Sequence, residues 1–185
     1  AIHYRLAELD MARKTYTTAL RVVQQGSANR DWNTHILQRM ADIDLQRLDW
    51  KQALRVYEQI RTLDPEDETS RKQLVELNLR MAQTDKAMSE LENYTSYLES
   101  QNKNETAILF IEEVIKDHGD QPLLKRALAS RLHYSGRTDE AIAILDGLGE
   151  TLMQAGEKQS ALEVINQIVL MNPPNAEGYR QLLTQ

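Results

Sequence analysis

"DWKQALRVYEQIRTLDPED", residues Asp49 to Asp67, is the stretch whose reading decides the fold. Leu54, Tyr57 and Ile60 recur at i, i+3 and i+6, which places them on one apolar stripe of a helix. Ala53 is small where its neighbours are bulky or charged, so a second helix axis can come close there. A Leu at such a crossing overpacks it, at a cost of about 1–3 kcal/mol. Pro65 ends the helix by pushing Asp64 out of helical geometry. Glu66 and Asp67 then set acidic groups at the positive end of a following helix.

The stretch is repeated. Displaced by 34 residues, Leu6–Gln25 falls on Met40–Gln59. Leu6 meets Met40, Ala7 meets Ala41, Asp10 meets Asp44, Arg13 meets Arg47, and Ala19-Leu20-Arg21 meets Ala53-Leu54-Arg55. A second displacement of 34 brings Leu74 under Met40, Leu77 under Ile43 and Ala87 under Ala53. This ungapped register resembles the tetratricopeptide repeat, a helix–turn–helix unit of about 34 residues. Residues 34–67 are the fullest copy: Met40-Ala41 stand for the family's Leu-Gly pair, Ala53 for its central Ala, Tyr57 for its aromatic and Pro65 for its closing Pro. Leu37 stands in place of a Trp and Asp44 in place of an aromatic.

Further along, the spacing changes. Ala87 and Ala107 are 20 apart, as are Ala141 and Ala161, and Pro173 follows Ala161 by twelve. Thr84–Leu91 falls on Thr138–Leu145 at a displacement of 54, so a longer unit of three helices is expected to occur about twice. The expected helices are 2–13, 15–28, 31–47, 50–63, 66–82, 84–100, 103–118, 121–135, 138–154, 157–172 and 175–184. Short links make neighbours antiparallel. The resemblance therefore implies an all-α fold: a right-handed α-α superhelix (solenoid) of about eleven antiparallel helices. One domain over 1–185 is expected, with repeats near 1–33, 34–67 and 68–101, irregular units at 84–121 and 122–173, and a terminal helix at 175–184. The chain opens inside a helical pattern, so it reads as a fragment of a longer protein.

Composition narrows the function. A net charge of −6 disfavours a dedicated nucleic-acid surface. The absence of Cys removes disulfides, zinc–thiolate sites and thiol catalysis, and leaves the compartment undetermined. No apolar run reaches the roughly 18 residues of a membrane span. His3, His35, His118 and His133 have no metalloprotease spacing, and no Gly-rich phosphate loop or GxSxG elbow occurs. No catalytic residue, metal site or cofactor is expected. "NYT" at Asn93 and "NET" at Asn104 match a glycosylation sequon, which matters only on a surface loop of a secreted protein. Trp32 is read as a staple against the following helix, with an exposed contact residue as the alternative.

The family binds peptides or protein segments on a concave face lined by the first helix of each repeat. Carried over by position, the resemblance implies Tyr4, Arg5 and Glu8 from the first copy, and His35, Gln38, Arg39 and Asp42 from the second. Thr69, Lys72, Gln73 and Glu76 come from the third, and Leu123, Arg126, Ser130 and Tyr134 from the unit at 122. Ala7, Ala19, Ala41, Ala53, Tyr57, Pro65, Ala87, Ala107, Ala141, Ala161 and Pro173 are read as structural. Some members clamp a chaperone's C-terminal carboxylate. Here Tyr4 and Glu8 stand where that clamp needs Lys and Asn, and Arg39 where it needs Asn, so a chaperone tail is not the expected partner. The expected function is a non-catalytic scaffold for a protein or peptide. The alternative is a structural or self-association segment of a longer solenoid.

Overall fold

The structure, a computed structural model, describes residues 2–25 and 30–183, with side chains over 5–25 and 31–183. These residues form ten helices and no strand. They are α1 (Ile2–Gln25), α2 (Arg30–Gln46), α3 (Trp50–Leu63), α4 (Glu68–Arg80), α5 (Thr84–Ser100), α6 (Asn104–His118), α7 (Pro122–Tyr134), α8 (Thr138–Gln154), α9 (Lys158–Leu170) and α10 (Ala176–Leu182). The fold is all-α; α1 to α4 pack each on the next, as do α6 to α10. Two compact units divide the chain, Ala1–Glu90 and Leu91–Gln185.

One expected turn is missing. The segments 2–13 and 15–28 were expected as two helices, but residues 2–25 form the single helix α1; residues 26–28 lie outside the described residues, as does 184 at the other end. The turns that do form show why. Leu48, Ala82, Asn102, Gly136 and Gly156 all have positive φ, between 55° and 86° for the last four and 57° for Leu48. At each, the next residue's N–H reaches the carbonyl five back: Asp49 to Asp44, Gln83 to Asn78, Lys103 to Leu98, Arg137 to Leu132 and Glu157 to Leu152. Each turn is thus a Schellman motif that satisfies the last carbonyls of its helix. The turn residues recur at intervals of 34, 20, 34 and 20.

Lys14 holds the register of Leu48 and Ala82. A non-Gly residue enters the left-handed region at a cost of about 1–2 kcal/mol. Burial on both sides of the turn offsets that cost at Leu48 and Ala82. At Lys14 the chain stays helical, and the hydroxyls of Thr15, Thr17 and Thr18 donate to the carbonyls of Met11, Arg13 and Lys14. Ala7 is consequently exposed, where its counterpart Ala41 is fully buried. The register that pairs Ala7 with Ala41 is thus not matched by equal burial. Ala19, on the second half of α1, is half-buried against the first unit's core.

That core joins Leu20 of α1 to Ile36, Leu37, Met40 and Ala41 of α2, Ala53, Val56, Tyr57 and Ile60 of α3, and Leu74 and Leu77 of α4. Trp50 packs against it, while Trp32 is 62% exposed on α2 and staples nothing. Helix α2 begins before Trp32, so its ring is carried round to the solvent side. Asp49 caps α3 through the Gln52 N–H, and Asp67 caps α4 through the Ser70 N–H. The Pro65 carbonyl accepts from the buried Arg71 guanidinium at 3.0 Å.

The copies of the first unit are also crossed electrostatically. Arg13 donates through Nε to both oxygens of Asp44, at 2.9 and 3.0 Å. Arg47 pairs with Asp10 at 3.0 Å and approaches Asp44 at 3.5 Å. Asp10 and Arg13 are the register equivalents of Asp44 and Arg47, so each Arg meets the Asp of the other copy. Asp44 has no exposed side-chain surface and depends on these partners.

In the second unit, Phe110 meets Tyr94 edge to face at 4.8 Å. The buried residues of this unit include Leu91 and Leu98 of α5, Ile108, Ile111 and Val114 of α6, and Leu124, Leu128 and Leu132 of α7. Leu145, Leu148 and Leu152 of α8 and Val164 and Ile168 of α9 continue the core. Ala107, Ala141 and Ala161 are each 0% exposed, as is Ala87 of the first unit, and Pro173 is buried.

Two substitutions check this account. Leu48 is 73% exposed, so Leu48→Gly removes little burial and relieves the left-handed backbone; a gain of about 1 kcal/mol, seen as a Tm rise of about 2–4 °C, is expected by calorimetry. Arg13→Met leaves Asp44 buried with a weaker partner and should lower stability in urea by about 3 kcal/mol, most of it recovered in Arg13→Met/Asp44→Leu.

Candidate functional site

The groove residues read from the sequence separate into distinct places. His35, Gln38, Arg39 and Asp42 lie on successive turns of α2, and Thr69 lies on the first turn of α4. The structure brings these five around one cleft of about 290 Å³, with Tyr57 of α3 in its wall. Arg39 and Asp42 are 3.9 Å apart and each more than half exposed. Such a pair contributes about 0–1 kcal/mol and is easily parted by a ligand.

Tyr57 is the residue that sequence reasoning missed here. Its ring packs in the core and only 4% of the residue is exposed, which agrees with its reading as a seam residue. Yet it also lines the cleft, and among the described residues its hydroxyl has no hydrogen-bond partner. Burial, and then the negative charges of Asp42, Asp67 and Glu76, push the phenol well above its ordinary value. The signal available in the sequence was the aromatic position itself, one turn beyond Ala53 and facing α2 and α4.

Lys72, Gln73 and Glu76 lie further along α4. Lys72 reaches Glu76 at 3.8 Å, and the Gln73 amide donates to Glu76 at 3.1 Å. Glu76 is only 7% exposed, so it serves this local cluster more than the surface. Arg5 and Glu8 are exposed on α1 and line a different cleft of about 580 Å³ with Leu6, Leu9, Ala12 and Gln46. The Tyr4 side chain lies outside the described residues.

The candidates of the second unit are arranged otherwise. Arg126 of α7 donates to Gln167 at 3.0 Å and to Glu163 at 2.9 Å, both on α9. Gln167 donates back to the Arg126 carbonyl at 3.1 Å and to the Ser130 hydroxyl at 3.0 Å. Arg126 and Ser130 therefore tie α7 to α9. Leu123 and Tyr134 are exposed, the latter by 69%. Nearby, Arg131 is clamped between Glu92 and Glu99 of α5, with 2.7 Å to Glu99. Its hydrogen bond holds the Glu92 carboxyl below the ordinary carboxylate value, against the opposing pull of burial. On α10, the Tyr179 hydroxyl donates to Asp146 of α8 at 2.8 Å.

Among the described residues no group of His, Asp and Glu could hold a metal ion, and no helix is long and apolar enough to cross a membrane. Both sequon asparagines are in helices, Asn93 within α5 and Asn104 at the start of α6.

The geometry is tetratricopeptide-like: helix pairs, Schellman turns and a fully buried alanine at Ala41, Ala53, Ala87, Ala107, Ala141 and Ala161. No family model matches the chain, and no curated protein matches it. Several solved structures are similar to it. One is a tetratricopeptide repeat protein from Parabacteroides merdae, at 16% identity over 99% of this chain and 79% of that one, with a TM-score of 0.40. Another is YrrB, a tetratricopeptide repeat protein with an unusual peptide-binding site, at 13% identity over 90% and 97%, with a TM-score of 0.35. A third is PilW, a widely conserved type IV pilus biogenesis factor, at 15% identity over 82% and 89%, with a TM-score of 0.32.

The clamp on Arg131 carries a pH dependence. Glu92 is more acidic folded than unfolded, so its contribution is present above the ordinary value of 4.5 and is lost as pH falls through the depressed value. Tm should fall as the solution is acidified below that value, and Glu92→Gln should flatten this part of the curve while lowering Tm at neutral pH.

Proposed function

We propose that the chain is a non-catalytic scaffold that takes a peptide or protein segment across the α2–α4 face of its first unit. One observation carries the reading. Five polar residues singled out by repeat position, His35, Gln38, Arg39, Asp42 and Thr69, line a single cleft rather than scattering over the surface. The cleft offers hydrogen-bonding groups of both kinds on helices held rigidly by the buried core beneath them. A segment lying along it gains affinity from contact area, and direction from the few polar groups.

The experiment is a selection of displayed random peptides on the 185-residue chain. Peptides should be enriched on the wild type. Thr69 is exposed, so Thr69→Trp fills the cleft without disturbing the core; it should weaken the enriched peptides by about tenfold or more. Tyr134→Ala, on α7, should leave them unchanged. Enrichment that survives Thr69→Trp, or no enrichment at all, overturns the reading.

A further inference from the structure

Tyr57 poses a question that packing does not answer. A Phe would fill the same seam between α2, α3 and α4. The hydroxyl instead sits in the cleft wall with no hydrogen-bond partner among the described residues, on a residue that is 96% buried by its 4% exposure. Unlike the ring, the hydroxyl is open to the cleft, so it is available to a ligand there. The groups around it are mostly acidic. Asp42 lines the same cleft, and Asp67 and Glu76 on the α4 side are close enough to act on the phenol.

The basic groups of the neighbourhood do not reach that hydroxyl. Arg39 lies on the rim beside Asp42 at 3.9 Å, and Lys72 lies beside Glu76 at 3.8 Å. Asp42 and Arg39 line the cleft as a loose, half-exposed pair, Asp67 and Glu76 add negative charge around the phenol, and the phenol oxygen offers an acceptor in the same cleft as Asp42. A ligand cation supplies what is lacking. It can donate to the Tyr57 oxygen and to Asp42 together, and charge-assisted bonds of this kind are roughly twice as strong as neutral ones. An anion brought to the same point would meet three like charges.

We infer that the α2–α4 cleft is the seat for one cationic side chain of the bound segment, a lysine ammonium or an arginine guanidinium, held by the Tyr57 hydroxyl and Asp42. This rests on the scaffold reading and makes it specific: the partner must present a basic residue at the point where it crosses α2. Tyr57 is then both a core residue through its ring and a binding residue through its oxygen.

The test uses the full chain and four small probes: the Nα-acetyl methylamides of lysine, arginine, norleucine and glutamate. Binding is followed by NMR at the amides of His35, Asp42, Tyr57 and Thr69. The lysine and arginine probes should shift these signals and saturate. Norleucine, with the same stem and no charge, and glutamate should bind at least about tenfold more weakly. Tyr57→Phe retains the ring and Asp42→Asn retains the shape; each should weaken the cationic probes about fivefold or more, while dispersed spectra show that the fold is intact. Equal binding by norleucine or glutamate overturns the inference, and so does a Tyr57→Phe chain that binds lysine unchanged. The outcomes separate from those of the scaffold reading. Selected peptides that fill the cleft without Lys or Arg sink this inference alone, whereas a failure to select any peptide sinks the scaffold reading.

Discussion

Two helices can approach closely only where one of them offers almost no side chain. Ala41 and Ala53 meet this condition in the first unit, and neither has any exposed surface. Ala87, Ala107, Ala141 and Ala161 meet it along the rest of the chain, also at 0% exposure. Larger residues flank each one and fill the space that the close crossing leaves: Met40 and Tyr57 near the first pair, Leu145 after Ala141, and Val164 after Ala161. The turns serve the same constraint. A Schellman turn reverses the chain within about three residues, and so keeps the next helix near enough for the alanine to matter.

Charge is handled in a second layer, built on the first. Arg13 and Arg47 exchange aspartates between copies, Arg126 ties α7 to α9, and Arg131 ties α7 to α5. In each case an Arg on one helix meets a carboxylate far along the chain, which the planar guanidinium suits because it can hold two oxygens in fixed geometry. Asp44 shows how the two layers depend on each other. It is buried because the alanine crossing brings α2 close to its neighbours, and it is tolerable there because Arg13 and Arg47 arrive with it.

Much of the architecture was legible. The helices from α3 onward start and stop within two residues of expectation, because Pro65, Gly119, Gly136 and Gly156 mark their ends. The turn at Lys14 was not legible. Leu48 and Ala82 form turns at the equivalent positions although neither favours a left-handed backbone, so residue type at this position does not separate a turn from a continuing helix. What separates them is the burial available on either side, which is a property of the assembled helices. The candidate site was legible in part for the same reason. Repeat position picked out His35, Gln38, Arg39, Asp42 and Thr69, which converge on one cleft, but it also picked out Arg126 and Ser130, which bind α9, and Glu76, which is buried.

By itself, the sequence determined the class of fold and the period of its units. Apolar spacing, small residues at fixed intervals and helix-ending Pro and Gly act locally, through backbone sterics and the helical pitch. Only the tertiary structure decided which polar residues remain open to a ligand. Whether an Arg faces solvent or a Glu on another helix depends on side chains some 30 to 40 positions away, such as Glu163 for Arg126 and Glu99 for Arg131. Tyr57 is the clearest instance. Its ring was predictable from the helical stripe, but the setting of its hydroxyl, in one cleft with Asp42 and under the negative charge of Asp67 and Glu76, exists only because α2 and α4 pack on either side of the seam.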